Sequence, residues 1–317
     1  MKPFVRSATF VDNQSLLLTD GDTNLWRFDL PSGRTVLACE GEAVLAPIAR
    51  AFPDKPRLAR ACAGTYPQVA SAEHGLRVVV NPSDMVLILG GLECEWRLAY
   101  QSYGNYYPRI EFSADASLIS CVTEGITVFE VSSGQQVEVV DGDDYCAAAW
   151  HPNDNELLAV TFEGRVDRIR FATNAASTTE NVAELPESSA ETEAVYWGTR
   201  GADGASALVF SGFGEVRLVN LMTGEIRLTA SLGRLRDGVF SRERPLALLK
   251  RDGQVPAFEL WDLRSLERVV TLPVDATCPC FSPNGEFLFY LSRLPSNPYP
   301  GAHCTTPRKG VLWKIEI

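Results

Sequence analysis

The sequence predicts an all-β fold, a chain of short four-stranded antiparallel sheets repeated along 317 residues. Three observations carry that prediction. Aromatic residues that end a strand and enter a polar turn recur at intervals of about 40 residues. Alternating apolar and polar stretches close on turns of small residues. One copy, at 258–290, shows both features in full. Self-similarity at a fixed period marks a repeat architecture and outweighs residue-by-residue propensity.

The aromatic anchor appears as Phe10-Val11-Asp12-Asn13, Phe112-Ser113-Ala114-Asp115, Trp150-His151-Pro152-Asn153, Phe240-Ser241-Arg242-Glu243 and Phe281-Ser282-Pro283-Asn284. Trp197-Gly198-Thr199 is a looser version. From Phe112 onward the anchors are spaced by 38, 47, 43 and 41 residues. The 102 residues between Phe10 and Phe112 are filled by a copy around Ser71-Ala72-Glu73-His74-Gly75, with an insertion at 44–64.

The second anchor is an alternating strand followed by a turn. Leu25-Trp26-Arg27-Phe28-Asp29-Leu30 precedes Ser32-Gly33, Val128-Phe129-Glu130-Val131 precedes Ser133-Gly134, and Arg217-Leu218-Val219-Asn220-Leu221 precedes Thr223-Gly224. Glu259-Leu260-Trp261-Asp262-Leu263 precedes Arg264-Ser265. Glycine supplies the positive φ that such hairpins demand. Each copy then holds an inner strand, a return strand, the alternating strand and an outer strand.

A unit of this size cannot shield both of its faces, so it must stack on neighbours, and radial stacking leaves only short protected edges. The Trp261-Asp262 pair and the Phe281-Ser282-Pro283-Asn284-Gly285 turn resemble the WD40-repeat β-propeller superfamily. The resemblance spans nearly the whole chain and is closest in the last two copies. It implies four-stranded blades and a class whose members mostly assemble complexes. None of His74, His151 and His303 follows a glycine, so the Gly-His pair that opens a WD40 repeat is absent. The family's buried His–Asp network is therefore not expected here, and the repeats are WD40-like.

Seven blades are read at 7–41, 67–100, 106–140, 145–184, 194–233, 235–273 and 276–317, forming one domain over 1–317; six blades with a divergent extra segment is the alternative. The last copy stops at its third strand, Val311-Leu312-Trp313-Lys314-Ile315-Glu316-Ile317, and Lys2-Pro3-Phe4-Val5 is expected to supply the outer strand and close the ring.

Hydrophobic content of 45% suits a large core, and no apolar stretch approaches the length of a membrane span. Residues 1–20 show no export signal, so a cytoplasmic location is expected and the eight cysteines read as reduced, small, buried hydrophobes. Asn13-Gln14-Ser15 is a glycosylation sequon without consequence in that compartment. Net charge of −11 argues against nucleic acid and against an anionic membrane, and fits a protein partner with a basic surface. The propeller is expected as a monomer or as a subunit of a hetero-complex.

Catalytic signatures are missing: no Gly-x-Ser-x-Gly elbow, no phosphate-cradling loop ending in Lys-Ser or Lys-Thr, no His-Glu-x-x-His. The reading is accordingly not an enzyme, and no cofactor is expected. His74 and His151 read as turn residues. Cys278, Cys280, His303 and Cys304 are the one weak metal candidate. Three thiolates and an imidazole suit tetrahedral zinc, but Cys-Pro-Cys is stiff and the adjacent pair His303-Cys304 is awkward. Core packing is the default for the cysteines. Asp20-Gly21-Asp22-Thr23-Asn24 begins like a calcium loop, but Leu25 and Pro31 stand where glycine and a bidentate glutamate are needed, so it reads as a hairpin.

Loops between second and third strands share a face with the connectors between copies, and unusual segments gather there. They are the 44–64 insertion with Arg50, Lys55, Arg57 and Arg60, a tyrosine-rich stretch with Tyr100, Tyr103, Tyr106 and Tyr107, two acidic connectors, and the proline-rich loop at 294–310. The acidic connectors hold Asp141, Asp143 and Asp144 in one and Glu187 and Glu191 in the other. Tyrosine serves interface hot spots well, while Tyr106 and Tyr107 also suit the start of the next strand. Tyr103, Tyr106, Tyr107, Asp141, Asp143, Asp144, Glu187, Glu191, Arg57 and Arg60 are the expected partner-binding residues. The function expected is a non-catalytic interaction scaffold: an adaptor, a complex subunit or a toxin-neutralising protein. The alternatives are a propeller hydrolase or lactonase and a small-molecule sensor, each with its site at the central channel.

Overall fold

The structure, a computed structural model, describes residues 5–20, 24–39, 67–71, 76–81, 85–90, 94–99, 109–113, 115, 117–122, 125–130, 135–140, 145–151, 154–171, 177–186, 192–197, 206–241, 243–251, 257–293 and 308–316. Six four-stranded sheets and one three-stranded sheet are formed by these residues, and each sheet is a meander of consecutive antiparallel strands. The chain divides into two compact units, 1–100 with 272–317 and 101–271.

In the first unit, the first sheet holds β1 (Val5–Asp12), β2 (Ser15–Asp20), β3 (Leu25–Asp29) and β4 (Arg34–Cys39). The second holds β5 (Pro67–Ser71), β6 (Leu76–Asn81), β7 (Met85–Gly90) and β8 (Cys94–Ala99). In the second unit, the third sheet holds β9 (Arg109–Phe112), β10 (Leu118–Val122), β11 (Ile126–Glu130) and β12 (Gln136–Val140). The fourth holds β13 (Tyr145–Trp150), β14 (Glu156–Thr161), β15 (Arg165–Arg170) and β16 (Thr178–Glu184). The fifth holds β17 (Thr192–Trp197), β18 (Ser206–Ser211), β19 (Glu215–Asn220) and β20 (Ile226–Ser231). The sixth holds β21 (Leu235–Phe240), β22 (Leu246–Arg251), β23 (Phe258–Asp262) and β24 (Glu267–Thr271). The seventh, in the first unit, holds β25 (Thr277–Phe281), β26 (Phe287–Arg293) and β27 (Arg308–Lys314).

Side-chain alternation explains the stacking. On β14, Leu157 and Ala159 pack with Val122, Ile126 and Val128 of the third sheet. Their neighbours Leu158 and Val160 point the other way, onto Ala207, Val209 and Val219 of the fifth. On β18, Leu208 and Phe210 turn in the same way towards Leu235, Ala247 and Leu249 of the sixth. Return strands buried on both faces read as continuous apolar runs, whereas the outer strands β16, β20 and β24 are largely exposed. Each fully buried leucine contributes about 1.5–3 kcal/mol. In the first unit, Ala8, Phe10, Leu16 and Leu18 pack with Phe289 and Leu291, so the first and last copies meet.

Directed bonds add register to these contacts. Trp150 Nε1 donates to the Glu111 carbonyl and to Ser120 Oγ, each at 3.0 Å, tying the fourth sheet to the third. Arg168 Nη2 reaches the Leu221 carbonyl at 3.2 Å, and Tyr196 Oη the Arg244 carbonyl at 3.1 Å. The Asn284 amide donates to Asn13 Oδ1 at 2.8 Å.

The predicted polar turns close on their own side chains. Ser282 Oγ accepts from the Phe287 amide at 2.9 Å and donates to Asn284 Oδ1 at 2.7 Å. Ser113 repeats this with the Leu118 amide at 3.0 Å and Asp115 at 2.7 Å. His151 lies in such a turn, as read, and its Nδ1 accepts from the Asp154 amide at 3.0 Å.

Two features depart from the sequence reading. Inner strands carry an extra residue against the return strand, between Val5 and Ser7, Pro67 and Val69, Tyr145 and Ala147, Thr192 and Ala194, Leu235 and Asp237, and Thr277 and Cys280. Bulges increase local twist, and Pro279, which has no amide hydrogen for the ladder, falls in the last of them. The end of the chain also differs. β27 begins at Arg308 rather than Val311, because Arg308, Lys309 and Gly310 pair with Arg293, Ser292 and Leu291. Val5, expected beside β27, instead opens β1 and pairs with Asp20. Lys2, Pro3 and Phe4 lie outside the described residues.

Candidate protein-binding face

At one end of each sheet lie the turn between return and alternating strands and the connector that leaves the outer strand. In the fourth sheet the turn is Phe162-Glu163-Gly164, and Thr161 closes it. Thr161 Oγ1 accepts from the Arg165 amide at 3.0 Å, and the Thr161 carbonyl accepts from the Gly164 amide at 2.9 Å. The fifth sheet repeats the construction with Gly212-Phe213-Gly214, where Ser211 Oγ accepts from the Glu215 amide at 3.1 Å and the Ser211 carbonyl from Gly214 at 2.8 Å. The first sheet does the same with Asp20, whose Oδ1 accepts from the Asn24 amide at 2.9 Å.

Backbone bonds join turn to connector. The Leu185 amide donates to the Gly164 carbonyl at 2.8 Å, and the Leu232 amide to the Gly214 carbonyl at 2.7 Å. Gly164 and Gly214 sit at φ +90° and +85°, a region closed to most residues. These rigid turns hold two phenylalanines in water: Phe162 is 47% exposed and Phe213 54%. They stand in corresponding turns of consecutive sheets of one unit, Phe162 one place and Phe213 two places after the hydroxyl residue that closes the turn. Glu163 and Glu184 are exposed beside the first, and Arg234 is exposed on the connector beside the second.

Beneath the turns, buried charges are paired within four of the sheets. Asp167, 1% exposed, accepts from Arg165 Nε at 2.9 Å and from Tyr145 Oη at 2.8 Å. Burial, reinforced by Asp167, pushes the Tyr145 hydroxyl up to about 12. Glu215 holds Arg217 in the fifth sheet. Glu259 takes Arg251, Arg268 and Trp261 Nε1 in the sixth. Asp20 takes Trp26 Nε1 at 2.8 Å in the first. Four of the sheets thus anchor their turn ends with different polar sets. A buried carboxylate needs such partners or its desolvation would cost several kcal/mol.

All the residues expected to bind a partner, Tyr103, Tyr106, Tyr107, Asp141, Asp143, Asp144, Glu187, Glu191, Arg57 and Arg60, lie outside the described residues. Of the metal candidate, Cys278 and Cys280 are on the inner strand β25, as expected, and the Cys280 thiol donates to the Ala8 carbonyl at 3.7 Å. His303 and Cys304 lie outside the described residues. Phe162 and Phe213 went unnoticed in the sequence. Their signal was a hydroxyl residue ending the return strand, a glycine three places on, and phenylalanine between them.

No family model matches the sequence. No curated protein matches it either. Among solved structures, one chain of the structure entitled "Crystal Structure of Mitotic Checkpoint Complex" is similar at a TM-score of 0.55 and 14% identity, over 91% of this chain and 87% of that one. The likeness concerns the fold alone, and with the repeated meander sheets it makes this chain an all-β propeller.

Proposed function

We propose that this protein is a non-catalytic, WD40-like interaction platform that holds a protein partner on the face formed by its turns and connectors. In this reading the seven sheets are the blades of a single closed domain, monomeric or one subunit of a hetero-complex, working in the cytoplasm. One observation carries it: Phe162 and Phe213 stand exposed at matching turns, each fixed by a left-handed glycine and a backbone bond to the connector. A rigid scaffold presenting aromatic side chains is how hot spots are built, since little side-chain freedom remains to be lost on binding. Two supports are weaker. The chain is acidic, which suits a basic partner, and the similar solved chain belongs to a multi-protein assembly by its title.

The test pairs the native protein with the Phe162→Ser, Phe213→Ser double variant in affinity copurification from the source cells, read by mass spectrometry. A stoichiometric partner should appear with the native chain and fall at least about tenfold with the variant. Stability should change by no more than about 0.5 kcal/mol per substitution, because both side chains already face water. Absence of a stoichiometric partner, or equal capture by both proteins, would overturn the reading.

A further inference from the structure

The two exposed phenylalanines stand among opposite charges. Phe162 has Glu163 and Glu184 exposed beside it. Beside Phe213 the connector carries Arg234, which is exposed and makes no hydrogen bond or ion pair among the described residues. Turn and connector are joined on both sides of Phe213. The Leu235 amide donates to the Gly212 carbonyl at 3.0 Å, and the Leu232 amide to the Gly214 carbonyl at 2.7 Å. Phe213 and Arg234 thus stand on one braced stretch of backbone.

The sixth sheet brings two more cations to this place. Arg251 Nη1 donates to the Leu232 carbonyl at 3.2 Å, two residues before Arg234. Arg251 Nη2 and Arg268 Nη1 both donate to Glu259 Oε1, while Glu259 Oε2 accepts from Trp261 Nε1 at 3.2 Å. Glu259 is buried, but the side chains of Arg251 and Arg268 are 39% and 50% exposed. One carboxylate therefore serves two guanidinium groups, whereas Asp167 in the fourth sheet has Arg165 and Glu215 in the fifth has Arg217. Three arginines against one glutamate leave a local excess of two positive charges among the described residues, in a chain of net charge −11. Most N–H donors of these three forks remain for a ligand.

We propose that Arg234, Arg251 and Arg268, together with Phe213, form a subsite for a phosphorylated serine or threonine in an extended segment of the protein partner. The inference rests on the platform reading and names what one part of that face recognises. A phosphate carries about −1.5 to −2 charges at neutral pH, which matches the excess. Its oxygens suit the arginine fork, which binds them in pairs. Glu259 holds two of the forks in place, so less side-chain freedom is lost on binding. An apolar neighbour of the phosphorylated residue covers Phe213. Glu163 and Glu184 repel the same group, which directs the phosphate to the fifth and sixth sheets. The excess is confined to this corner, so the acidic chain still suits a partner that is basic elsewhere.

The probe is a fluorescein-labelled heptapeptide library with phosphothreonine fixed at the centre and mixed flanking residues, titrated against the full chain by anisotropy. The same library with threonine or glutamate at the centre is measured beside it. The phosphorylated library should bind at least about tenfold more tightly than either. Arg234→Gln removes a side chain with no partner to lose, and Arg268→Gln leaves Arg251 on Glu259. Each should weaken binding at least about tenfold while the protein unfolds at the native denaturant midpoint. Phe213→Ser should weaken binding as well, and Phe162→Ser should leave it unchanged. Three results would each overturn the subsite: no binding by the phosphorylated library, equal binding by the threonine or glutamate library, or binding indifferent to both arginine variants. In the copurification described above, phosphatase treatment of the extract should reduce capture of the partner. Capture that survives phosphatase but still falls in the phenylalanine variant would overturn the subsite and leave the platform standing, whereas a native chain that captures no partner overturns the platform.

Discussion

Two left-handed glycines at opposite ends of the sheets, Gly214 and Gly33, are glycine for different reasons. At the connector end, a Cβ added to Gly214 would lie 1.9 Å from the Gly233 carbonyl oxygen, so there is no room for a side chain as well as an unfavourable φ. At the opposite end, where alternating and outer strands join, Gly33 has φ +65° but nothing within 4 Å of an added Cβ. The sixth sheet places Leu266 at the corresponding position, just before the outer strand, with φ +55°. Hairpin twist demands the left-handed residue in both places, but only close approach of a neighbouring backbone makes glycine obligatory. Crowding is set position by position rather than by end: an added Cβ at Gly224, also at the hairpin end, would lie 2.8 Å from the Val182 carbonyl oxygen, while Gly233, on the connector after Leu232, has nothing within 4 Å.

The largest break in this contrast should come from Gly214→Ala. Strain and the clash with Gly233 together should cost about 3–4 kcal/mol, read by denaturant unfolding. A loss below about 1 kcal/mol would mean that the turn and connector can separate freely.

pH should separate Tyr145 from Asp115 next. Tyr145, at the connector end, is pushed up to about 12 by burial and by Asp167; Tyr196, whose hydroxyl reaches the Arg244 carbonyl in a turn at the opposite end, is pushed up to about 12 by burial as well. A phenol raised in the folded state contributes stability that is complete below its ordinary value of 10.0 and is lost as pH climbs towards 12. Asp115, in a turn at the other end, behaves oppositely. Burial works to raise it, but bonds from the Ser117 amide, Ser113 Oγ, Ser117 Oγ and Asn155 outweigh that and hold it at about 2. Its contribution is present above 3.8 and is lost as pH falls towards 2. Unfolding followed across pH should therefore show Tyr145→Phe flattening the alkaline fall alone and Asp115→Ala flattening the acid fall alone. Effects on both limbs from either change would refute this division.

The smallest effects belong to Gly33 and Leu266. Gly33→Ala should cost about 1 kcal/mol, from the backbone alone. Leu266→Gly should change stability by less than about 1 kcal/mol, because relief of the left-handed backbone offsets the contact that Leu266 makes with the core between the fifth and sixth sheets. Equal losses from Gly33→Ala and Gly214→Ala would erase the distinction between a crowded and an uncrowded left-handed glycine.

Much of the fold was legible before any coordinates. The expected windows 145–184 and 235–273 enclose sheets that run from Tyr145 to Glu184 and from Leu235 to Thr271. Period-2 alternation and the Ser, Asp and Asn turns are local signals, and local hydrogen bonds such as those of Ser113 and Ser282 make them good. β27 was misplaced because Arg308-Lys309-Gly310 resembles a loop until Arg293, Ser292 and Leu291 are beside it. The face was read less well. Attention went to tyrosines and acidic runs outside the described residues, while a single phenylalanine in a turn carries no mark of its own.

What the residues determined unaided was the meander itself: which stretches alternate, where glycine or a hydroxyl must turn the chain, and that such sheets have to share their faces. Tertiary structure decided the bulges of the inner strands, the pairing of Asp167 with Tyr145 and Arg165, the distance that forbids a side chain on Gly214, and the exposure of Phe162 and Phe213. The reason is range. Alternation and turns are set by residues within about five positions, whereas burial and close approach depend on a neighbouring strand or sheet brought back from 22 to 53 residues away.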